Sequence, residues 1–180
     1  MAKGPELKTA RLRLTPYARE DGPALHALCR RPEVRRYLFD NQGPSRGLID
    51  ELITRSEASF AQVGLGQWTL RPRDDGDDAL LGFAGYLDGF GPPGLQLVYG
   101  LAPEAWGRGY VTEAVARLVR LGFERARLDE VVAYADLPNA ASIRVMQRVG
   151  LGFDREITWR GLSLVRYRLA RADWAAQAGA

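Results

Sequence analysis

Cysteine and histidine are nearly missing from this sequence: Cys29 and His26 are the only ones in 180 residues. A lone cysteine forms no intrachain disulfide, and neither a zinc cluster nor a three-histidine catalytic site can be assembled from one of each, so no metal site is expected. A reducing compartment is the natural setting. Lysine is almost as scarce, with Lys3 and Lys8 against 23 arginines. Those arginines are spread along the whole chain, with no dense basic block interleaved with aromatics. The formal net charge of +3 therefore reads as a solvated surface, and no direct nucleic-acid partner is expected. Long apolar runs are missing too. The opening MAKGPELKTARLRL has no signal-peptide core, and the longest nearly unbroken apolar stretch, residues 80–87, falls far short of the roughly 20 residues a spanning helix needs. A cytoplasmic protein with no membrane partner is the expectation.

What is present suits one globular domain over residues 1–180. A chain of this length buries about 70% of the surface it exposes unfolded, which is core enough without a disulfide or a structural metal. Leu12 and Leu14 alternate with Arg11 and Arg13, the period of a half-buried strand. A helix over 20–30 follows, then a short one from Pro32. A longer helix is capped by Ser45 and carries Leu48, Ile49, Leu52, Ile53, Phe60 and Val63 at helical spacing. Strands are predicted at 67–71, 80–87 and 95–101, in an antiparallel meander. The acidic group Asp74, Asp75, Asp77 and Asp78 around Gly76 reads as an exposed turn, since it lacks the order of a calcium loop and its closing glutamate.

The pattern changes at Trp106. A Gly107-Arg108-Gly109 turn opens a helix, a strand follows at 131–135, a second helix runs from Ala140 to Val149 and stops at Gly150, and two strands at 153–159 and 162–170 turn at Arg160-Gly161. The whole predicts a mixed, mostly antiparallel α/β sheet of about seven strands flanked by helices. A strand ending at Leu101, two glycines one residue apart and an immediate helix start present backbone N–H groups from Gly107 to Val111 at the positive end of a helix dipole, which suits an anion such as a diphosphate. The segment has neither the Gly-Lys-Ser/Thr ending of a P-loop nor the spaced glycine triplet of dinucleotide folds.

The run PEAWGRGYVTEA, followed by Asn139-Ala140-Ala141-Ser142 and by Val145 through Gly150 with a closing GLGF, resembles the GNAT superfamily of N-acetyltransferases. More narrowly it is similar to the RimJ/RimL branch, which acetylates ribosomal-protein amino termini. The resemblance extends over nearly the whole chain, through Ala10 to Leu14, Trp68-Thr69-Leu70, Leu81 to Gly85 and Tyr99. It implies a V-shaped split between the fourth and fifth predicted strands, with acetyl-CoA as cosubstrate. By resemblance, the diphosphate rests on Gly107, Arg108, Gly109, Tyr110 and Val111, with the Thr112 hydroxyl beside it. Bulge-exposed backbone groups near Tyr99 and Leu101 meet the pantetheine amides and the thioester carbonyl. Asn139 contacts the pantetheine arm, and the Ser142 hydroxyl faces the leaving sulfur. Arg108 and Arg148 are the arginines expected to meet the anionic cosubstrate. A homodimer is compatible with the family.

Two departures matter. Glu104 stands where the family's phosphate signature usually begins with Gln or Arg, and Gln96 stands where many members of the branch carry a glutamate. A glutamine is no general base. Tyr134 or Asp136, alternating with Val132 along the fifth strand, are the candidates to hold a water that takes the proton; packing for the tyrosine and helix capping for the aspartate are the alternatives. Without an evident carboxylate base, a protein N-terminal α-amine is the favoured acceptor. A small amine such as an aminoglycoside or polyamine stays open, as does a non-catalytic acyl-CoA-binding module. Residues 32–44 and the Arg160-Gly161 turn are expected to line the acceptor groove.

Overall fold

The computed structural model describes residues 4–73 and 78–178. Asp74, Asp75 and Asp77 of the acidic turn lie outside them; Asp78 accepts a hydrogen bond from Arg13. The strands are β1 (Leu7–Lys8), β2 (Leu12–Pro16), β3 (Gln67–Pro72), β4 (Gly82–Asp88), β5 (Leu95–Leu101), β6 (Glu130–Asp136), β7 (Gly152–Trp159) and β8 (Leu162–Ala170). The helices are α1 (Gly22–Arg30), α2 (Pro32–Arg35), α3 (Arg46–Val63), α4 (Tyr110–Glu124), α5 (Ala140–Arg148) and α6 (Arg171–Ala178). All strands join one sheet of order β1-β2-β3-β4-β5-β6-β8-β7, antiparallel except between β5 and β6. The eighth strand is β1, a two-residue edge strand paired to β2, too short to leave an alternating pattern in the sequence. Among the described residues no helix is long and apolar enough to cross a membrane.

Two apolar layers sandwich the sheet. On one face α4 lays Ala114, Val115, Leu118, Val119, Leu121 and Phe123 over Leu12, Leu14, Trp68, Leu70, Tyr86, Leu97 and Val131, with Val145 and Met146 of α5 completing the layer. The unforeseen helix α6 belongs here: Trp174 stacks on Phe123 at 5.0 Å between ring centroids. On the other face, α1 and α3 pack Leu25, Leu28, Cys29, Ile49, Leu52 and Ile53 onto Phe83, Leu87 and Val98. Ser45 caps α3 by accepting from the Leu48 N–H at 3.1 Å, and Gly64 closes the helix in the left-handed conformation.

Helix α4, which carries the Gly107-Arg108-Gly109 turn, sits close to the sheet because of one glycine. The Tyr86 hydroxyl donates to the Leu118 carbonyl at 3.1 Å, and a β-carbon at Gly122 would stand only 2.5 Å from that hydroxyl. A side chain at 122 must break the buried bond or lift the helix. Gly122→Ala is expected to destabilise the fold by about 1–3 kcal/mol, read as a lower urea midpoint; an unchanged midpoint would show that the helix is free to shift.

Candidate active site

The site begins with a failure of two strands to stay together. Strands β4 and β5 pair without interruption from Gly82–Leu101 to Asp88–Leu95, and β6 and β8 pair along all of β6. Between them, β5 and β6 match at Leu97–Ala133 alone. Beyond that pair the C-terminal halves separate, and the sheet opens between residues 99–101 and 135–136. The Ala102 N–H donates to the Leu81 carbonyl at 2.8 Å, so alternate residues of β5 turn their backbone groups toward β4. By that alternation Tyr99 and Leu101 turn theirs toward the opening. The expected bulge is absent from β5, because its register with β4 is continuous; divergence of β6, not a bulge, uncovers these groups. The Leu101 carbonyl is already taken by the Trp106 indole N–H at 2.9 Å, which leaves its N–H to face the opening.

Next to this opening lies the N-terminus of α4. Gly107 and Gly109 have φ of +72° and +77°, a region that favours glycine, and Gly109 as N-cap brings no side chain to the first-turn N–H groups. A β-carbon at 107 would touch nothing in the chain, so the need for glycine there comes from backbone conformation. Arg108, Gly107 and Gly109 are exposed, while Tyr110, Val111 and Thr112 are half-buried in the first turn.

The turn is clamped by residues from the front of the chain. Arg11 donates from Nη1 to the Arg108 carbonyl at 2.8 Å and from Nε to Glu113 Oε2 at 2.7 Å, and its guanidinium lies 4.7 Å from the centroid of the Tyr110 ring. Glu113 Oε1 accepts from the Arg11 backbone N–H at 2.9 Å and from Thr9 Oγ1 at 2.5 Å. Burial works to raise the Glu113 carboxyl, but the bonds from Thr9 and Arg11 outweigh it and hold the group below the ordinary value of 4.5. The sequence carries no signal for this contact, which joins residues about a hundred positions apart.

Across the opening, Asn139 caps α5 by accepting from the Ser142 N–H at 3.2 Å. The Asp136 backbone carbonyl accepts from the Asn139 N–H at 2.8 Å, just ahead of the helix. The Tyr99 hydroxyl reaches over from β5, 2.8 Å from Ser142 Oγ and 3.2 Å from the Ser142 carbonyl. Burial pushes this phenol up to about 12, with the Ser142 bond pulling the other way. Arg148 lies exposed in the last turn of α5, about 9 Å along the helix axis from Ser142.

Tyr134 is not brought against Ser142. It lies opposite Arg166 of β8, on the face of β6 that also carries Glu130. Arg166 is held by Asp154 and by Glu130, each at 2.6 Å. Burial lowers the Arg166 guanidinium, and the bonds to Asp154 and the Tyr134 hydroxyl, with the Glu130 charge, more than restore it. A one-residue bulge in β7 between Phe153 and Arg155 turns Asp154 toward this group. Gln96 is 4% exposed and donates from Nε2 to the Pro92 carbonyl at 2.9 Å, so it holds the loop before β5. Cys29 lies in the second core, where burial pushes its thiol up to about 12, and it stays protonated at neutral pH.

Two further segments approach the opening. A Leu38 methyl lies 3.4 Å from where a β-carbon of Gly100 would project, and Arg31 pairs with Glu104 at 2.7 Å, which brings part of segment 32–44 over the end of β5. Leu164 pairs with Asp136, so the Arg160-Gly161 turn projects beyond the same end of the sheet at which β5 and β6 separate.

The chain is similar to a known family and to several solved structures. Residues 11–152 match the acetyltransferase (GNAT) domain. The chain belongs to the GNAT acetyltransferase family and is an N-acetyltransferase. It is 27% identical over 154 residues to the uncharacterized N-acetyltransferase YoaA of Bacillus subtilis (strain 168), covering 84% of each protein. Its fold matches the crystal structure of an acetyltransferase from Agrobacterium tumefaciens str. C58 with a TM-score of 0.80 at 24% identity, over 94% of this chain and 96% of that one. It also matches the ribosomal L7/L12 α-N-protein acetyltransferase RimL in complex with coenzyme A, with a TM-score of 0.77 at 14% identity, over 92% and 98% of the two chains.

The clamp on the α4 turn has a pH signature. A carboxylate whose folded pKa is depressed contributes stability above its unfolded value and loses it as pH falls through the folded one. Glu113→Gln is therefore expected to lower stability at pH 7, by about 1 kcal/mol or more, with the gap to the wild type closing below about pH 4.5. Urea titrations across pH 3–7 check this, and a gap that stays constant would contradict the charged clamp.

Proposed function

We propose that this enzyme moves an acetyl group from acetyl-CoA to a protein N-terminal α-amine, as a member of the RimJ/RimL branch acting in the cytoplasm. The observation that carries the reading is the single Leu97–Ala133 pairing, which opens the sheet beside a helix start whose backbone N–H groups are uncapped. GNAT acetyltransferases use acetyl-CoA, and the residues present fit it. The opening offers the backbone of Tyr99 and the Leu101 N–H to the pantetheine and the thioester carbonyl, while residues 107–112 offer N–H groups to the diphosphate. Arg108 and Arg148 supply exposed positive charge, and Asn139 stands at the pantetheine side.

The chemistry is direct transfer. The amine nitrogen bonds to the thioester carbon, the C–S bond breaks, and its electron pair stays on the CoA sulfur, where the Ser142 hydroxyl donates a hydrogen bond. The nitrogen's surplus proton passes to water. A thiol with a pKa near 8.5 leaves without a strong acid. Cys29, buried and protonated, takes no part, which argues against an acyl-cysteine intermediate. Tyr134 and Asp136 are the groups offered to order the water that receives the amine proton.

Acceptor choice follows from proton arithmetic. An α-amino group with a pKa of about 7.7–8.0 is roughly one-tenth neutral at pH 7, whereas a lysine near 10.4 costs about 4–5 kcal/mol to deprotonate. Gln96, occupied with Pro92, supplies no base to meet that cost. RimL's action on a protein α-amine is consistent with the same fold serving such an acceptor.

The test is mass spectrometry of a panel of N-terminal peptides, lysine side chains blocked, beside aminoglycosides and polyamines. Gain of one acetyl group on peptide α-amines is expected. Transfer only to small amines would overturn the acceptor, and acetyl-CoA binding with no thiol release on any acceptor would favour a binding module. Ser142→Ala should reduce turnover about tenfold with acetyl-CoA affinity nearly unchanged; lost affinity at normal turnover would remove Ser142 from the chemistry.

A further inference from the structure

The Ser142 hydroxyl does not stand alone at the opening. Tyr99 Oη lies 2.8 Å from Ser142 Oγ and 3.2 Å from the Ser142 carbonyl, and the Asn139 cap fixes the Ser142 backbone from the other side. The two hydroxyls carry one proton each, so the pair has two arrangements. In one, Tyr99 donates to the Ser142 carbonyl and Ser142 donates back to Tyr99, which spends the serine proton inside the pair. In the other, Tyr99 donates to Ser142 Oγ, and the serine proton is left to point elsewhere.

We propose that Tyr99 is a positioning residue for acetyl transfer: its side-chain hydroxyl donates to Ser142 Oγ and thereby frees and aims the serine proton at the sulfur that departs. This inference rests on the proposed role of Ser142 facing that sulfur. Negative charge developing on sulfur selects the second arrangement, because a charge-assisted bond to the thiolate is stronger than the serine's bond back to a neutral phenol. Linked donors polarise one another, so the phenol strengthens the serine as a donor without giving up its own proton. Burial keeps that proton in place: with its pKa pushed up to about 12, the phenol is a donor throughout the neutral range. The position serves two ends at once, since its backbone also faces the opening from β5.

The experiment compares wild type, Tyr99→Phe, Ser142→Ala and the double variant, measuring kcat and the KM for acetyl-CoA. Tyr99→Phe keeps the ring and removes the hydroxyl. The expected result is a roughly tenfold loss of kcat with KM for acetyl-CoA little changed, and a double variant no slower than Ser142→Ala alone. A Tyr99→Phe loss that persists undiminished in the Ser142→Ala background would overturn the inference, as would wild-type kcat in Tyr99→Phe. Normal turnover in Ser142→Ala would instead overturn the underlying role of serine, so the two failures are distinct. If Tyr99→Phe folds poorly, replacing Tyr99 with a ring-fluorinated tyrosine preserves the hydroxyl and lowers its pKa. The alkaline fall in kcat should then move to lower pH, and a fall that does not move would count against the phenolic donor.

Discussion

Leu97 and Ala133 form the one residue pair at which β5 and β6 meet, and the arrangement of the site depends on what happens just beyond it. A parallel pair that continued would have consumed the backbone groups of Tyr99 and Leu101 and closed the sheet. Instead β5 stays bound to β4 over seven residues and β6 to β8 over seven, so each half is held rigidly while the seam between them opens. Exposed strand backbone is normally a liability. Here the exposure faces inward, between α4 and α5, where the proposed cosubstrate would bring amides of its own.

The two apolar layers divide the work. The layer with α4, α5 and α6 fixes the elements proposed to meet the cosubstrate: Tyr86 and Gly122 set the height of α4, Arg11 and Glu113 brace its first turn, and Asn139 orders the start of α5. The layer with α1 and α3 instead supports the segment that passes over β5 through Leu38 and the Arg31–Glu104 pair. The charged group of Glu130, Asp154, Arg166 and Arg168 occupies the part of that same face next to Tyr134. In the proposed function, cosubstrate and acceptor approach the seam from surfaces built by different parts of the chain.

Much of this was legible in the sequence because it is local. Short runs between turn residues and helices predict the strands at 95–101 and 131–135, and spaced glycines before an amphipathic run mark the start of α4. What escaped is either too small or too distant to leave a pattern. Strand β1 has two residues, and α6 is half alanine around the single large apolar anchor Trp174. The Arg11–Glu113 clamp and the Tyr99–Ser142 pair join residues far apart in the chain, and nothing in either segment announces its partner. Gln96 is no base by its amide chemistry alone, whereas its bond to Pro92 is visible only in three dimensions. The expected bulge in β5 failed for a related reason: register is a property of two strands, and divergence of one exposes backbone as well as a bulge in the other.

The central claim is that the seam between β5 and β6 receives acetyl-CoA through exposed backbone. Amide hydrogen exchange, followed residue by residue with and without acetyl-CoA, tests it most directly. The account predicts slowed exchange at the Tyr99 and Leu101 amides and across residues 107–112, with the outer strands unchanged. Protection that left the Tyr99 and Leu101 amides untouched, or that appeared only on the α1–α3 side, would contradict it.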